Sequence, residues 1–189
     1  MGSFSSRLVF HFWKRFKPVM IGRFKRFDGV KLERTRIGST TTLLGKDKFY
    51  VDDNVFIGQY NFIDASNKIT IGTGCQITNF CSVLTHSSHK SIRLYGENYG
   101  KVGPMIGYGE GEVKIDMYTF IGPHSVIMPN TTIGKGCIVS AYSLVKGDFP
   151  DFSVIAGNPA KVIGDTREMD KEYLEKHPDR RENYDSWAK

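Results

Sequence analysis

Residues 115–145 read IDMYTF-IGPHSV-IMPNTT-IGKGCI-VSAYSL-V, hexads in which Ile115, Ile121, Ile127, Ile133, Val139 and Val145 recur every six residues. That spacing matches neither a helix face nor the alternation of a hairpin strand, so it points to a solenoid whose unit is one short strand and a turn. Four residues after each aliphatic comes a small side chain: Thr119, Ser125, Thr131, Cys137 and Ser143. Gly122 and Gly134 directly follow their aliphatics. Large and small positions alternate as a packed interior requires.

The register continues upstream through Val51, Ile57, Ile63 and Ile69, then after a two-residue slip through Ile71, Ile77 and Val83, and a further slip reaches back to Ile37, Leu43 and Phe49. It is lost between Val83 and Val113 and resumes at Ile115, which marks one long insertion, 84–112, and long loops in compact repeats usually carry function. The organisation expected is a basic, aromatic N-terminal cap over 1–36 containing a short helix, a solenoid over 37–163, and a C-terminal segment 164–189 with a helix over 165–187. Met169, Tyr173 and Leu174 form that helix's narrow apolar stripe among many charges.

At 189 residues the chain holds one core with appendages. No apolar run is long enough to span a bilayer, and Lys14, Arg15 and Lys17 interrupt any secretory signal, so a cytoplasmic protein is expected. Cys75, Cys81 and Cys137 all fall in the small slot of the hexad, which fits space-filling thiols rather than a disulfide framework. The formal charge of +6 is concentrated in residues 1–36, where Arg7, Lys14, Arg15, Lys17, Arg23, Lys25, Arg26, Lys31, Arg34 and Arg36 face only Asp28 and Glu33. Phe4, Phe10, Phe12, Trp13, Phe16, Phe24 and Phe27 interleave with these cations. Such a segment caps an open solenoid end or lies on a membrane surface; nucleic-acid binding ranks below both.

The insertion opens with Thr85-His86-Ser87-Ser88-His89-Lys90 and continues through Arg93, Tyr95, Tyr99 and a glycine-rich run containing Tyr108. Histidine is the side chain best poised to take a proton near neutral pH, so both loop histidines are candidate general bases.

The hexad pattern closely resembles the hexapeptide-repeat acyltransferases, among them the sugar, maltose and galactoside O-acetyltransferases and the xenobiotic acetyltransferases. That resemblance implies an all-β fold: a left-handed parallel β-helix with a loop insertion, an N-terminal capping segment and a short C-terminal α-helix. The segment Val113 to Gly122 resembles the family stretch ending in Trp-Ile-Gly, with Phe120 in place of the tryptophan. Ile155-Ala156-Gly157-Asn158-Pro159-Ala160-Lys161-Val162-Ile163 is similar almost word for word to the family's terminal motif. By resemblance, His89 is the base that deprotonates the acceptor, with His86 the runner-up, and acetyl-coenzyme A is the donor. Asn61 and Asp64 would line the acceptor pocket; Asn61 could equally just bond neighbouring turns. Arg93, Tyr95 and Tyr99 suit a polar ring-shaped acceptor. Main-chain groups around Ser140 and Ala141 would meet the pantetheine amides, Gly157 and Pro159 would flank the coenzyme groove, and Lys146 and Lys161 would face the adenosine phosphates.

The function implied is acetyl-coenzyme A-dependent O-acetylation of a sugar, within bacterial surface-polysaccharide synthesis, by a homotrimer with sites between subunits. N-acetylation of a nucleotide-linked amino sugar needs the same base and is the alternative. A zinc carbonic-anhydrase-like centre from His86, His89 and His124, and a non-enzymatic solenoid scaffold, are the remaining readings; no metal is expected.

Overall fold

The computed structural model describes residues 17–189. The expectations placed on Phe4, Arg7, Phe10, Phe12, Trp13, Lys14, Arg15 and Phe16 lie outside these residues. The chain winds through about six coils into a left-handed parallel β-helix whose three sides are ladders of short parallel strands.

On the first side Ile37, Ile57, Ile77, Ile121, Val139 and Ile155 stand in register. On the second, Leu43, Ile63, Val83, Ile127 and Val145 do the same. On the third the row is Val51, Ile71, Ile115, Ile133 and Phe149. The isoleucines of these rows from Ile57 to Ile155 are at most 1% exposed. Burying each contributes about 1.5–3 kcal/mol, so the hexad is the main energetic statement in the sequence.

The two-residue slips have a geometric meaning. Strands of the third side, Phe49–Val51, Ile69–Ile71 and Val113–Ile115, point two residues inward instead of one, and all six of those residues are buried. The early coils therefore repeat at 20 residues, as the pairs Ile37↔Ile57 and Ile57↔Ile77 show, while Ile121↔Val139 repeats at 18. Cys75, Cys81 and Cys137 are interior and free, as the small-slot reading requires.

Two boundaries differ from the sequence reading. Within the described part of the cap, strands Met20–Lys25 and Lys31–Gly38 form an antiparallel hairpin that extends the first side's sheet, and no helix falls in residues 17–36. Phe24 packs on the core, and Phe27 meets Tyr50 edge to face at 5.1 Å. Under the hairpin, at the solenoid's first end, lies a cavity of about 480 Å³ lined by Phe24, Leu32, Phe49 and Val51 among others.

The C-terminal helix is also divided. The insertion carries α1, Ser91–Tyr95; beyond the solenoid come α2, Thr166–Lys176, and α3, Arg181–Ala188, separated by the 3-10 turn Pro178–Arg180. Pro178 has no N–H to continue the first helix. Asp165 caps α2 by accepting from Arg167 N at 2.8 Å. Trp187 of α3 lies 4.6 Å from Tyr118 and 6.0 Å from Phe152. Gly136 makes that possible: its φ is +63°, and a Cβ there would stand 2.9 Å from the rings of Phe152 and Trp187.

Candidate active site

The insertion leaves the solenoid at the corner after strand Ser82–Leu84 on the second side and rejoins at strand Val113–Ile115 on the third. Leu84 pairs with Asp64, the last residue of strand Phe62–Asp64, so two further residues bring His86 beside that carboxylate. Thr85, fully buried, fixes the departure: its hydroxyl donates to Asp64 O at 2.8 Å and accepts from Asn67 N at 2.9 Å. Its carbonyl accepts from Asn67 Nδ2 at 3.1 Å and from Gly111 N at 3.0 Å.

The two ends of the insertion are tied by the antiparallel pair His86↔Glu110 and Ser87↔Gly109. Asn130 of the next coil donates to Glu110 O at 2.9 Å. A Cβ on Gly111 would fall 1.9 Å from Asn130 Oδ1, so any side chain there would displace the Asn130 amide from Glu110 O.

Within this frame Asp64 Oδ2 stands 3.1 Å from His86 Nδ1, with the Asp64 side chain 5% exposed and the His86 ring 34% exposed. Asp64 Oδ1 is occupied by Ser66, which donates from its N–H at 2.9 Å and from its hydroxyl. The separation from His86 is that of an ion pair, but the ring is turned off the N–H···O line, and Nδ1 makes no hydrogen bond to the described residues. Such contacts commonly tighten when substrate binds. Tyr108, arriving on the return strand, stacks over the His86 ring at 5.7 Å and 11°. Burial pushes the Tyr108 hydroxyl above its ordinary pKa, with Tyr99, Glu110 and Asp64 adding to the effect.

The other candidates are distributed unevenly. His89 is exposed at the start of α1; its Nδ1 lies 2.8 Å from Ser87 Oγ and its carbonyl accepts from Arg93 Nη1. Tyr95 braces the loop by accepting from Ile106 N at 2.9 Å, and Tyr99 sits half-buried. Asn61 is turned inward: it is 2% exposed and its Oδ1 accepts from Cys81 N at 2.7 Å. Its side chain thus bonds the neighbouring coil through Oδ1, while Nδ2 is buried without a hydrogen-bond partner among the described residues.

Near the exit, Ser140 donates to Ile155 O at 2.8 Å and accepts from the hydroxyls of Ser125 and Ser143, while Ala141 is exposed beside it. Gly157, at φ +104°, pairs with Ala160 across the tight exit turn containing the cis bond before Pro159. Lys146 and Lys161 are both exposed. His124 stacks between Phe80 and Tyr142, so it does not join His86 and His89. Among the described residues no three His, Cys, Asp or Glu side chains converge as metal ligands.

Residues 112–147 match the family model described as bacterial transferase hexapeptide (six repeats). The chain thus carries the hexapeptide repeat of this transferase family. One relative is WbbJ of Escherichia coli (strain K12), a candidate lipopolysaccharide biosynthesis O-acetyl transferase. It is 28% identical over 128 residues, covering 67% of this chain and 65% of WbbJ. Galactoside O-acetyltransferase of the same organism is 30% identical over 125 residues, 66% of this chain and 55% of that protein. The chain thus spans less than two thirds of either relative. Among solved structures, a maltose O-acetyltransferase from Clostridium difficile 630 superposes with a TM-score of 0.57 at 26% identity, over 67% of this chain and 64% of that one.

Two features of this hexapeptide-repeat chain escaped the sequence reading. The pairing of Asp64 with His86 required the coil length of 20, which the two-residue slip encodes. The aromatic residues Tyr60, Phe80, His124 and Tyr142 share one turn slot, and the regularity of that slot was the available signal.

Proposed function

We propose that the chain is an acetyl-coenzyme A-dependent O-acetyltransferase acting on a sugar, and that His86, rather than His89, is its general base. The observation that carries this reading is the buried Asp64 carboxylate 3.1 Å from His86 Nδ1 at the root of the insertion. A carboxylate there holds the proton on Nδ1, leaves Nε2 basic, and stabilises the imidazolium that forms when Nε2 accepts a proton. The acceptor hydroxyl gives its proton to Nε2 as its oxygen attacks the thioester carbonyl carbon. The C–S bond then breaks, and the proton passes from His86 to the departing sulfur, giving the acetyl ester and free coenzyme A. No protein nucleophile is required. Holding acceptor and thioester together lowers the barrier alongside the proton transfer.

Arg93, Tyr95 and Tyr99 on the insertion supply polar and aromatic surface for a sugar, and Ala141, Lys146, Gly157, Pro159 and Lys161 remain the proposed coenzyme contacts. The likeness to WbbJ and galactoside O-acetyltransferase supports a sugar acceptor in surface-polysaccharide synthesis. A homotrimer belongs to the same proposal; the exposed rings of Phe62, Phe80 and Phe120 along the outer surface support contact with further copies. Among the described residues no helix is long and apolar enough to cross a membrane. Residues 17–48 nevertheless hold nine Lys or Arg against three Asp or Glu, which supports a peripheral contact with an anionic membrane surface.

The test is thiol release from acetyl-coenzyme A with wild type, His86→Ala and His89→Ala over a panel of sugars, nucleotide sugars and amino sugars. Loss with His86→Ala and retention with His89→Ala is expected, and the responding acceptor separates O- from N-transfer. The opposite pattern reassigns the base to His89, and no turnover on any acceptor removes the enzymatic reading.

A further inference from the structure

Four rings stack along the corner between the first and second sides. Tyr60 lies on Phe80 at 5.1 Å and 5°, Phe80 on His124 at 4.9 Å and 4°, and His124 on Tyr142 at 4.8 Å and 3°. Each occupies the same turn slot of its coil with φ between 59° and 61°, a conformation non-glycine residues rarely adopt. The ring spacing is close to the spacing of adjacent strands, about 4.8 Å, so the ladder's pitch is set by the coils themselves.

Tyr142 ends this ladder. Phe80 is covered on both faces and is 49% exposed, whereas Tyr142, covered by His124 on one face, is 70% exposed. No ring stacks on its other face among the described residues. Beyond it the chain is already in the exit turn, where Gly157 N donates to Ser143 Oγ at 3.2 Å.

The molecule shows what such a face accepts. At the corner between the third and first sides, Tyr118 and Phe152 are separated by the coil that carries Gly136. The Trp187 ring, delivered from α3, fills the gap. A planar aromatic group from elsewhere thus completes a corner ladder that the coils leave open.

We propose that the free face of Tyr142 is a stacking site for a purine, the adenine ring of the acyl donor. This rests on the acyl-transfer reading above. Tyr142 directly follows Ser140 and Ala141, the proposed pantetheine contacts, and its free face looks along the coil axis toward the Gly157–Ala160 turn. A base stacked there continues the ladder by one further step, on a surface that already presents an aromatic face of matching size. Stacking of a base on an exposed aromatic is tolerant of ring substituents and strong enough to anchor one end of an extended ligand.

The test uses the full-length protein with two donors, acetyl-coenzyme A and S-acetylpantetheine, which has the same thioester and no adenine. Tyr142→Ala is expected to raise KM for acetyl-coenzyme A about tenfold, the scale of one base stack, and to leave KM for S-acetylpantetheine unchanged. Tyr142→Phe is expected to restore the wild-type KM. Calorimetry with adenosine 3′,5′-bisphosphate should show the same order: wild type and Tyr142→Phe binding alike, Tyr142→Ala about tenfold weaker. Equal KM increases with both donors, no increase with either, or an increase confined to the acceptor would each overturn the assignment. Failure of wild type to turn over any thioester would instead strike the acyl-transfer reading, and the bisphosphate titration would still decide whether Tyr142 holds a purine.

Discussion

Replacing Asp64 by asparagine removes one charge and almost nothing else. The amide keeps an oxygen for Ser66 N, which Asp64 Oδ1 accepts at 2.9 Å, so the turn after strand Phe62–Asp64 should survive. What disappears is the carboxylate 3.1 Å from His86 Nδ1. Two unit charges at that distance interact by about 5 kcal/mol at an effective dielectric of 20. A third of the His86 side chain faces solvent while Asp64 is buried, so about half that value is the reasonable expectation for an imidazolium formed only in the transition state. A loss of about 2–3 kcal/mol corresponds to a fall in kcat of about 30- to 150-fold. His86→Ala should cost about 10²–10⁴-fold, the ordinary range for a general base. The double variant should be no slower than His86→Ala alone, because the carboxylate acts only through the ring. Thiol release under saturating acetyl-coenzyme A reads all three, with thermal unfolding confirming that Asp64→Asn is folded. If Asp64→Asn keeps kcat within about threefold of wild type, or if the two losses multiply in the double variant, the paired-residue reasoning is wrong.

Three further outcomes follow from the packing. Burial opposes ionisation of Asp53, but N–H groups of Arg34, Asn54 and Thr35 and the Thr35 hydroxyl more than compensate and bring its pKa to about 2. A depressed carboxylate stabilises the fold above its unfolded pKa and loses that contribution as pH falls through the folded one. Asp53→Asn should therefore lower the unfolding midpoint at neutral pH, and the gap to wild type should shrink between about pH 4 and pH 2; a gap constant with pH would refute this. Burial pushes the Cys75 thiol up to about 12 and that of Cys137 to about 11. The native protein should accordingly give no fast reaction with a thiol reagent and three equivalents in denaturant, and rapid labelling of the native form would contradict the interior placement. Gly136→Val sets a branched side chain against Phe152 and Trp187 at positive φ, so it should cost about 2–3 kcal/mol in urea unfolding and alter the near-ultraviolet dichroism of Trp187; an unchanged midpoint would mean that α3 does not depend on this slot.

The sequence carried the solenoid because the hexad is a burial pattern, and burial is what the fold is made of. Ile121 and Val139, three hexads apart in the unbroken repeat, could be placed on one face from spacing alone, and the structure puts them in one ladder. The N-terminal hairpin was not legible, since Met20–Lys25 alternates weakly and its basic, aromatic composition also suits a helix. Pro178 is the one residue in the C-terminal segment that signals its division, against an otherwise continuous helical composition. At the site, Asn61 fell in a small-residue slot, where an inward hydrogen bond to the next coil satisfies its oxygen better than a ligand would.

Histidines placed by counting along the insertion are ambiguous because a loop has no period; the ladder beneath it does. Asp64 pairs with Leu84 because the early coils repeat at 20 residues, and the third-side strands supply the two extra inward positions that make 20 out of 18. With a repeat of 18, Asp64 would face Ser82, and the residue two places beyond that rung would be Leu84 instead of His86. The doubled pair Ile69 with Ile71 sits on the side of the prism that contributes nothing to the Asp64–His86 contact. It nonetheless sets the register that forms it. Deleting two residues from strand Ile69–Ile71 should therefore damage activity more than a substitution of equal thermal cost in the same strand, because it moves the carboxylate and the ring onto different rungs.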